Sequence, residues 1–227
     1  MKLQIFWIAC DAPLSATQQH SLLALLPEPL QKQCHRYRRP EDQRATLLGK
    51  LLLLYAIEQR GARHVTLCNP LENITYTDTK KPFIAGAWSF NISHSGAVVV
   101  LACASSGKVG VDVEQIRPIA FDEFVGHLPE LKALDPAARQ RQFYTYWTAK
   151  EAVLKGTGQG LLLPLEEVII KEDTATVHHE RWHIRQFSCG FDYCAHVATT
   201  EKPSSCVIER IYLSRHGLTP WSAKEQV

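Results

Sequence analysis

Two acids on a strand and a glutamate–lysine stripe on a helix carry the chemical interest of this chain. Asp112 and Glu114 stand two apart in Val109-Gly110-Val111-Asp112-Val113-Glu114. The alternation reads as a strand, so both carboxylates project from one face and Val111 and Val113 from the other. Adjacent carboxylates repel and raise each other's pKa unless a cation sits between them. Hard oxygen donors suit Mg²⁺, which keeps waters and borrows further ligands from substrate phosphates. A solvated strand end bearing two surface acids fits this segment equally well. Further on, Trp147, Glu151 and Lys155 fall at i, i+4 and i+8 along one helical stripe. As a surface ion pair Glu151 and Lys155 contribute only ~0.3–0.5 kcal/mol. The aromatic density around them (Phe143, Tyr144, Tyr146, Trp147) instead turns the stripe toward a core or cleft. A carboxylate there could bind metal while the lysine neutralises phosphate charge. The third unusual segment is Phe90-Asn91-Ile92-Ser93-His94-Ser95-Gly96. It is not hydrolase chemistry, because the chain lacks a G-x-S-x-G elbow with a matched acid, and His94 alone reads equally as a structural histidine.

Several elements must position these residues. Ser15, with Gln18 three residues on, forms a capping-box start for a helix that Pro27 stops. A second helix runs from Pro40, with Glu41 and Asp42 in its first turn, to Gly61. Residues 97–104 and 108–114 read as strands around Ser105-Ser106-Gly107, and Met1–Ile8 alternates like another. A third helix spans Asp135-Pro136 to Gly156, and residues 168–213 alternate in short β-like runs. The proline starts and glycine stops of the two long helices repeat at offsets of 96 and 95 positions. Ala97-Val98-Val99 similarly corresponds to Tyr193-Cys194-Ala195. A duplicated α+β unit, with a cleft at the joint, explains the echo.

Composition narrows the class. At 227 residues the chain can bury one large core or two small ones. Its 45% hydrophobic and 21% charged residues are those of an ordinary globular protein. A formal charge of +2 is too small to argue for nucleic acid. No apolar run approaches the ~20 residues of a membrane span, and no signal peptide opens the chain, so a cytoplasmic protein is expected. The seven cysteines form no C-x-x-C pair, which points to buried reduced thiols.

Taken together, the three chemical segments resemble the 4′-phosphopantetheinyl transferase superfamily, in its surfactin-synthetase type. Its S-H-S strand entry, G-[VI]-D-[VI]-E strand and W-x-x-K-E-A/S-x-x-K helix are similar to Ser93–Ser95, Gly110–Glu114 and Trp147–Lys155. Its G-K-P element resembles Lys80-Lys81-Pro82, with lysine in place of glycine. The resemblance covers most of the chain in the right order. It implies an α+β fold of two similar subdomains in pseudo-two-fold arrangement, 1–106 and 107–227, with coenzyme A in the cleft between them. It further implies a monomer that moves the 4′-phosphopantetheine arm of coenzyme A onto a serine of an acyl or peptidyl carrier protein, with no nucleic-acid or membrane partner.

In that reading Asp112, Glu114 and Glu151 hold Mg²⁺ (Mn²⁺ being the alternative), Glu151 deprotonates the carrier serine, and Lys155 neutralises pyrophosphate charge. Ser93 and His94 contact phosphates, and Lys81 and Pro82 line the adenine site. Lys32, Arg44 and Thr46 serve the 3′-phosphate, although Leu30, Gln33 and Ala45 stand where some relatives carry basic residues.

Two other patterns point elsewhere. His179-Glu180-Arg181-Trp182-His183 matches the zinc-peptidase pattern, which requires a helix. The surroundings read as a β-hairpin, in which the histidines would lie roughly 13 Å apart. Gly156-Thr157-Gly158-Gln159-Gly160 follows a helix and lacks the Walker lysine, so it reads as a helix stop. A non-catalytic relative would have lost an acid, and all three are present.

Overall fold

A computed structural model of the chain describes residues 1–60, 69–86, 88–119, 136–159, 163–214 and 217–220. In order, the elements are β1 (Lys2–Ala9), α1 (Ala16–Leu23), α2 (Glu28–His35), α3 (Pro40–Gln59), β2 (Ile74–Tyr76), β3 (Pro82–Ile84), β4 (Ser89–Ser95) and β5 (Val98–Ala104). They continue as β6 (Val109–Gln115), α4 (Pro136–Thr157), β7 (Ile169–Lys171), β8 (Thr174–Val177), β9 (Glu180–Phe187), β10 (Tyr193–Thr199), β11 (Ser205–Ser214) and β12 (Gly217–Pro220).

Helix ends follow local chemistry. At α1 the Gln18 N–H donates to Ser15 Oγ (3.2 Å) and the Ser15 N–H to Gln18 Oε1 (3.1 Å), the reciprocal capping box. α3 opens with Pro40 at its first position and two acids in the first turn, where the helix dipole favours negative charge. The eight-residue α2 follows directly on Pro27, which the sequence reading takes only as a helix stop; Pro29 is tolerated in the first turn, whose N–H groups have no intrahelical acceptors. α4 ends at Thr157, one residue beyond the expected stop, and Gly158 then adopts φ 79°. Gly156 is glycine for another reason: a Cβ there would lie 2.5 Å from the Trp182 ring.

The internal echo is a topological repeat. In the first half β5 pairs antiparallel with both β1 and β4, giving the order β1-β5-β4; in the second, β10 pairs antiparallel with β6 and β9, giving β6-β10-β9. α3 and α4 occupy equivalent places in the two units. β11 then returns to lie parallel to β1, and β12 extends that sheet's edge. The strands flanking Ser105–Gly107 exist as expected but belong to different sheets, since the chain crosses between them there.

Strand alternation builds the layers. Val99, Leu101 and Cys103 of β5 pack under α3, while Val98, Val100 and Ala102 face Val109, Val111 and Val113 of β6. α4 covers the far side of the second sheet through Ala149, Ala152 and Val153 against Trp182 and Ala198. The order is helix, sheet, sheet, helix, an α+β fold of two halves. Cys34, Cys103, Cys189 and Cys194 are buried free thiols, Cys10 and Cys206 are half-buried, and Cys68 lies outside the described residues. Among the described residues no helix is long and apolar enough to cross a membrane.

The zinc-peptidase pattern dissolves in this fold. β8 and β9 form a hairpin whose two-residue turn, His178-His179, has φ 46° and 65°, as a type I′ turn requires. His179 is thus in a turn and His183 in a strand, on no common helix face.

Lys80 is the lysine that replaces the family glycine, and its φ is 65°. It sits in a tight turn closed by the Lys80 N–H to the Thr77 carbonyl (2.8 Å) and the Thr77 N–H to the Lys81 carbonyl (3.0 Å). A Cβ in the left-handed region costs ~1–2 kcal/mol, part of which glycine returns through unfolded-chain entropy. Lys80→Gly is therefore expected to stabilise the protein by about 1 kcal/mol, read as a rise of about 2–4 °C in Tm by calorimetry.

Candidate active site

The two sheets meet at β4 and β6 without pairing as strands. β6 is an edge strand, so its outward N–H groups need acceptors. Side chains of β4 supply them: Asn91 Oδ1 accepts from the Val111 N–H (2.9 Å), Ser93 Oγ from Val113 (3.4 Å) and Ser95 Oγ from Gln115 (3.1 Å). Period two on both strands makes this ladder possible, because residues 91, 93 and 95 share one face. The Ala97 N–H donates to Tyr193 Oη (3.1 Å) at the end of the same seam.

The serines also donate to the acids. Ser93 Oγ donates to Asp112 Oδ1 (3.0 Å) and Ser95 Oγ to Glu114 Oε2 (2.7 Å). From α4, Lys155 Nζ reaches Asp112 Oδ1 (2.5 Å) and Ser93 Oγ (3.0 Å). Asp112 is 1% exposed, and its Oδ2 is buried with no hydrogen-bond partner. Glu151 lies one turn before Lys155 and is half-buried.

Burial raises the pKa of all three acids. For Asp112 the ion pair with Lys155 and the Ser93 hydroxyl work against burial. Glu114 is pushed up by burial, eased by Ser95, and pushed further by the charges of Asp112 and Glu151. Glu151 is raised by burial, lowered by Lys155 and raised by Asp112. The carboxylates are thus near enough to feel one another. Among the described residues, though, no three His, Cys, Asp or Glu side chains stand close enough to hold one ion. The reason is physical: like charges repel, and Lys155 and Ser95 each draw one acid aside. The donor set still fits a divalent cation, since mutually repelling, partly desolvated carboxylates and one orphaned buried oxygen are what such an ion relieves.

What brings α4 this close is glycine. A Cβ on Gly110 would lie 2.0 Å from the Ala152 carbonyl oxygen and 2.3 Å from the Gly156 nitrogen, so β6 and the end of α4 touch backbone to backbone. The glycine of the G-V-D-V-E segment sets the distance between the strand acids and the helix stripe.

His94 points from the opposite face of β4, toward α3. It lines two cavities, one of about 430 Å³ with Arg39, Arg44, Gln115, Arg117 and Tyr193, the other of about 210 Å³ with Thr46, Lys80 and Pro82. Its pKa is lowered by burial and by Lys155, with Asp42 and Asp112 opposing.

Two expected residues lie elsewhere. Lys32 sits on the solvent side of α2, 70% exposed and paired with Glu28 (2.7 Å), and lines neither cavity. Lys81 Nζ donates to the carbonyls of Gly156 (2.8 Å) and Val109 (3.3 Å), fastening its turn to the end of α4; burial lowers its pKa to about 8. Asn91 and Ser95 lie in the segment that the sequence marks as unusual but have no role assigned there, and Lys50 and Tyr193 are given no functional place by sequence. The alternation of Asn91, Ser93 and Ser95 was a visible signal for the first two. Lys50 and Tyr193 gave none, because only packing turns them toward the site.

Comparisons with known proteins agree with the motif reading. Residues 108–208 match the model of the 4′-phosphopantetheinyl transferase superfamily, and residues 13–106 match that of the N-terminal region of a 4′-phosphopantetheinyl transferase. The chain is 29% identical to a 4′-phosphopantetheinyl transferase of Bacillus subtilis over 84% of its own length and 89% of the relative's. It is 30% identical to 4′-phosphopantetheinyl transferase Sfp of Bacillus subtilis strain 168, covering 74% and 76% of the two chains. With 4′-phosphopantetheinyl transferase gsp of Aneurinibacillus migulanus the identity is 34% over 64% and 62%.

Proposed function

Since this chain belongs to the 4′-phosphopantetheinyl transferase superfamily, we propose that it transfers the 4′-phosphopantetheine group of coenzyme A to a serine of an acyl or peptidyl carrier protein. The observation that carries the reading is the clustering of Asp112, Glu114, Glu151 and Lys155 at a seam between two halves, beside a cavity whose wall carries Arg39, Arg44 and Arg117 together with Asp11, Glu41 and Asp42.

In this mechanism the carrier serine Oγ bonds to the β-phosphorus of coenzyme A. The bond from that phosphorus to the bridging oxygen breaks, and adenosine 3′,5′-bisphosphate leaves. Glu151 takes the serine proton; burial raises its proton affinity, which suits a general base working near neutral pH. Lys155 and Ser93 neutralise and orient the pyrophosphate, and His94 contacts phosphate from the α3 side. Asp112, Glu114 and Glu151 would hold Mg²⁺, or Mn²⁺ in its place, which when bound withdraws negative charge from the pyrophosphate oxygens. Arg44, Thr46 and Pro82 contact the nucleotide end. Lys81 belongs to that side as the residue that ties its loop to α4, and Lys32 could serve only by leaving Glu28. We take residues 1–106 as the nucleotide-side subdomain and 107–227 as the acid-bearing one. The enzyme acts as a cytoplasmic monomer with no nucleic-acid or membrane partner.

The test is intact-mass spectrometry of apo carrier proteins incubated with the protein, coenzyme A and Mg²⁺. A gain equal to one phosphopantetheine is expected. No gain on fatty-acid, polyketide and nonribosomal-peptide carriers alike would overturn the proposal.

A further inference from the structure

The smaller cavity beside His94 holds a cation that no motif contains. Lys50 lies two-thirds of the way from Arg44 to Leu53 along α3, inside the helix and directed toward α2. It shares the cavity wall with Tyr37, Thr46, Lys80, Pro82 and His94, and no carboxylate lines that wall. Among the described residues the Lys50 ammonium has no ion pair and no hydrogen bond; the titratable group beside it is the buried thiol of Cys34, whose pKa burial raises. Burial lowers its pKa, the mark of an ammonium only partly hydrated. An unpaired, partly desolvated cation beside a histidine, a threonine and a tyrosine is built to receive an anion of more than one oxygen. Lys32, which the sequence pointed to for this role, is held by Glu28 in solvent.

Coenzyme A carries two separate anionic groups. Its pyrophosphate must reach the carboxylates and Lys155 on the serine face of β4, where the bond breaks. Its other anion, the ribose 3′-phosphate, then needs a second cationic pocket continuous with the first. His94 joins the two faces of β4 by sitting beside Ser93 and pointing into the cavity that Lys50 lines. We propose that Lys50 pairs with the 3′-phosphate of coenzyme A and makes the enzyme discriminate coenzyme A from donors lacking that phosphate. The inference rests on the transferase reading above and adds a specificity residue to it.

The experiment compares coenzyme A with dephospho-coenzyme A, which has a 3′-hydroxyl instead, on one carrier protein. Wild type, Lys50→Met and Lys50→Arg are each assayed for kcat/KM with both donors. A hydrogen bond to a charged group is worth about tenfold or more in affinity. The ratio of kcat/KM for coenzyme A over dephospho-coenzyme A is therefore expected to fall about tenfold in Lys50→Met and to recover largely in Lys50→Arg. General damage to the fold lowers both donors together and leaves the ratio alone. A wild-type ratio near one, or a Lys50→Met ratio equal to wild type, overturns the inference while leaving the transferase assignment intact. A wild type inactive with both donors instead sinks the transferase reading.

Discussion

Glu151→Gln is expected to lower kcat/KM for carrier modification by about 10³-fold, the size seen when one preorganised electrostatic group is removed from a reaction site. Glutamine keeps the volume and the helix but can neither take the serine proton nor offer a charged ligand. Stability should hardly suffer, because Glu151 makes no hydrogen bond among the described residues and its charge is disfavoured by burial and by Asp112. The sign with pH follows from the direction of the shift. A carboxyl whose pKa rises on folding contributes no penalty below its unfolded value, and its penalty grows as pH climbs through the raised one. In metal-free buffer Glu151→Gln should therefore gain stability relative to wild type between pH 4 and pH 7, never lose it. Alanine at Asp112 or Glu114 should likewise abolish transfer. Asp112→Ala is the less clean experiment, since it strands Lys155 and removes an acceptor from Ser93. Near wild-type turnover by Glu151→Gln, in a stopped assay with coenzyme A and Mg²⁺, would remove Glu151 from both of its proposed roles.

Gly110→Ala should cost about 3 kcal/mol of stability, at the top of the range for overpacked cores, because the added carbon meets backbone at 2.0 and 2.3 Å and no rotamer can evade it. Either α4 moves away from β6 or the second sheet bends. Both outcomes separate Glu151 and Lys155 from Asp112, and a displacement of about 1 Å at reacting groups costs about 10²-fold in rate. Urea unfolding and the carrier assay on the same preparation check the two together. Activity in the folded variant should fall well beyond what its unfolded fraction explains. Unchanged stability would mean that the close approach of strand and helix is not a constraint in solution.

These two substitutions separate what a linear reading can reach from what it cannot. The acids, the helix stripe and the serine–histidine segment were legible because their chemistry depends on local periodicity: two along a strand, four along a helix. The duplication was legible for a related reason, as two long helices with matching punctuation. By contrast, the partner of each acid was invisible. Nothing near Asp112 in the chain says that Lys155, 43 positions on, and Ser93, 19 positions back, share its oxygen. The glycine of G-V-D-V-E could be read as part of a motif, but its reason appears only where α4 touches it.

The basic residues show the same division in the opposite sense. Lys32, Lys50 and Lys81 are indistinguishable as letters. Position on the helix gives Lys32 to Glu28, a turn away; folding of the 77–81 loop gives Lys81 to two carbonyls; packing of α2 on α3 leaves Lys50 facing a cavity. Sequence alone determined which chemical groups this chain possesses, the faces they take within each element, and the family they resemble. Tertiary structure decided which groups meet. Hydrogen bonds and ion pairs are formed within about 3 Å, and only the crossing of two sheets and two helices brings residues so far apart in the chain to that range.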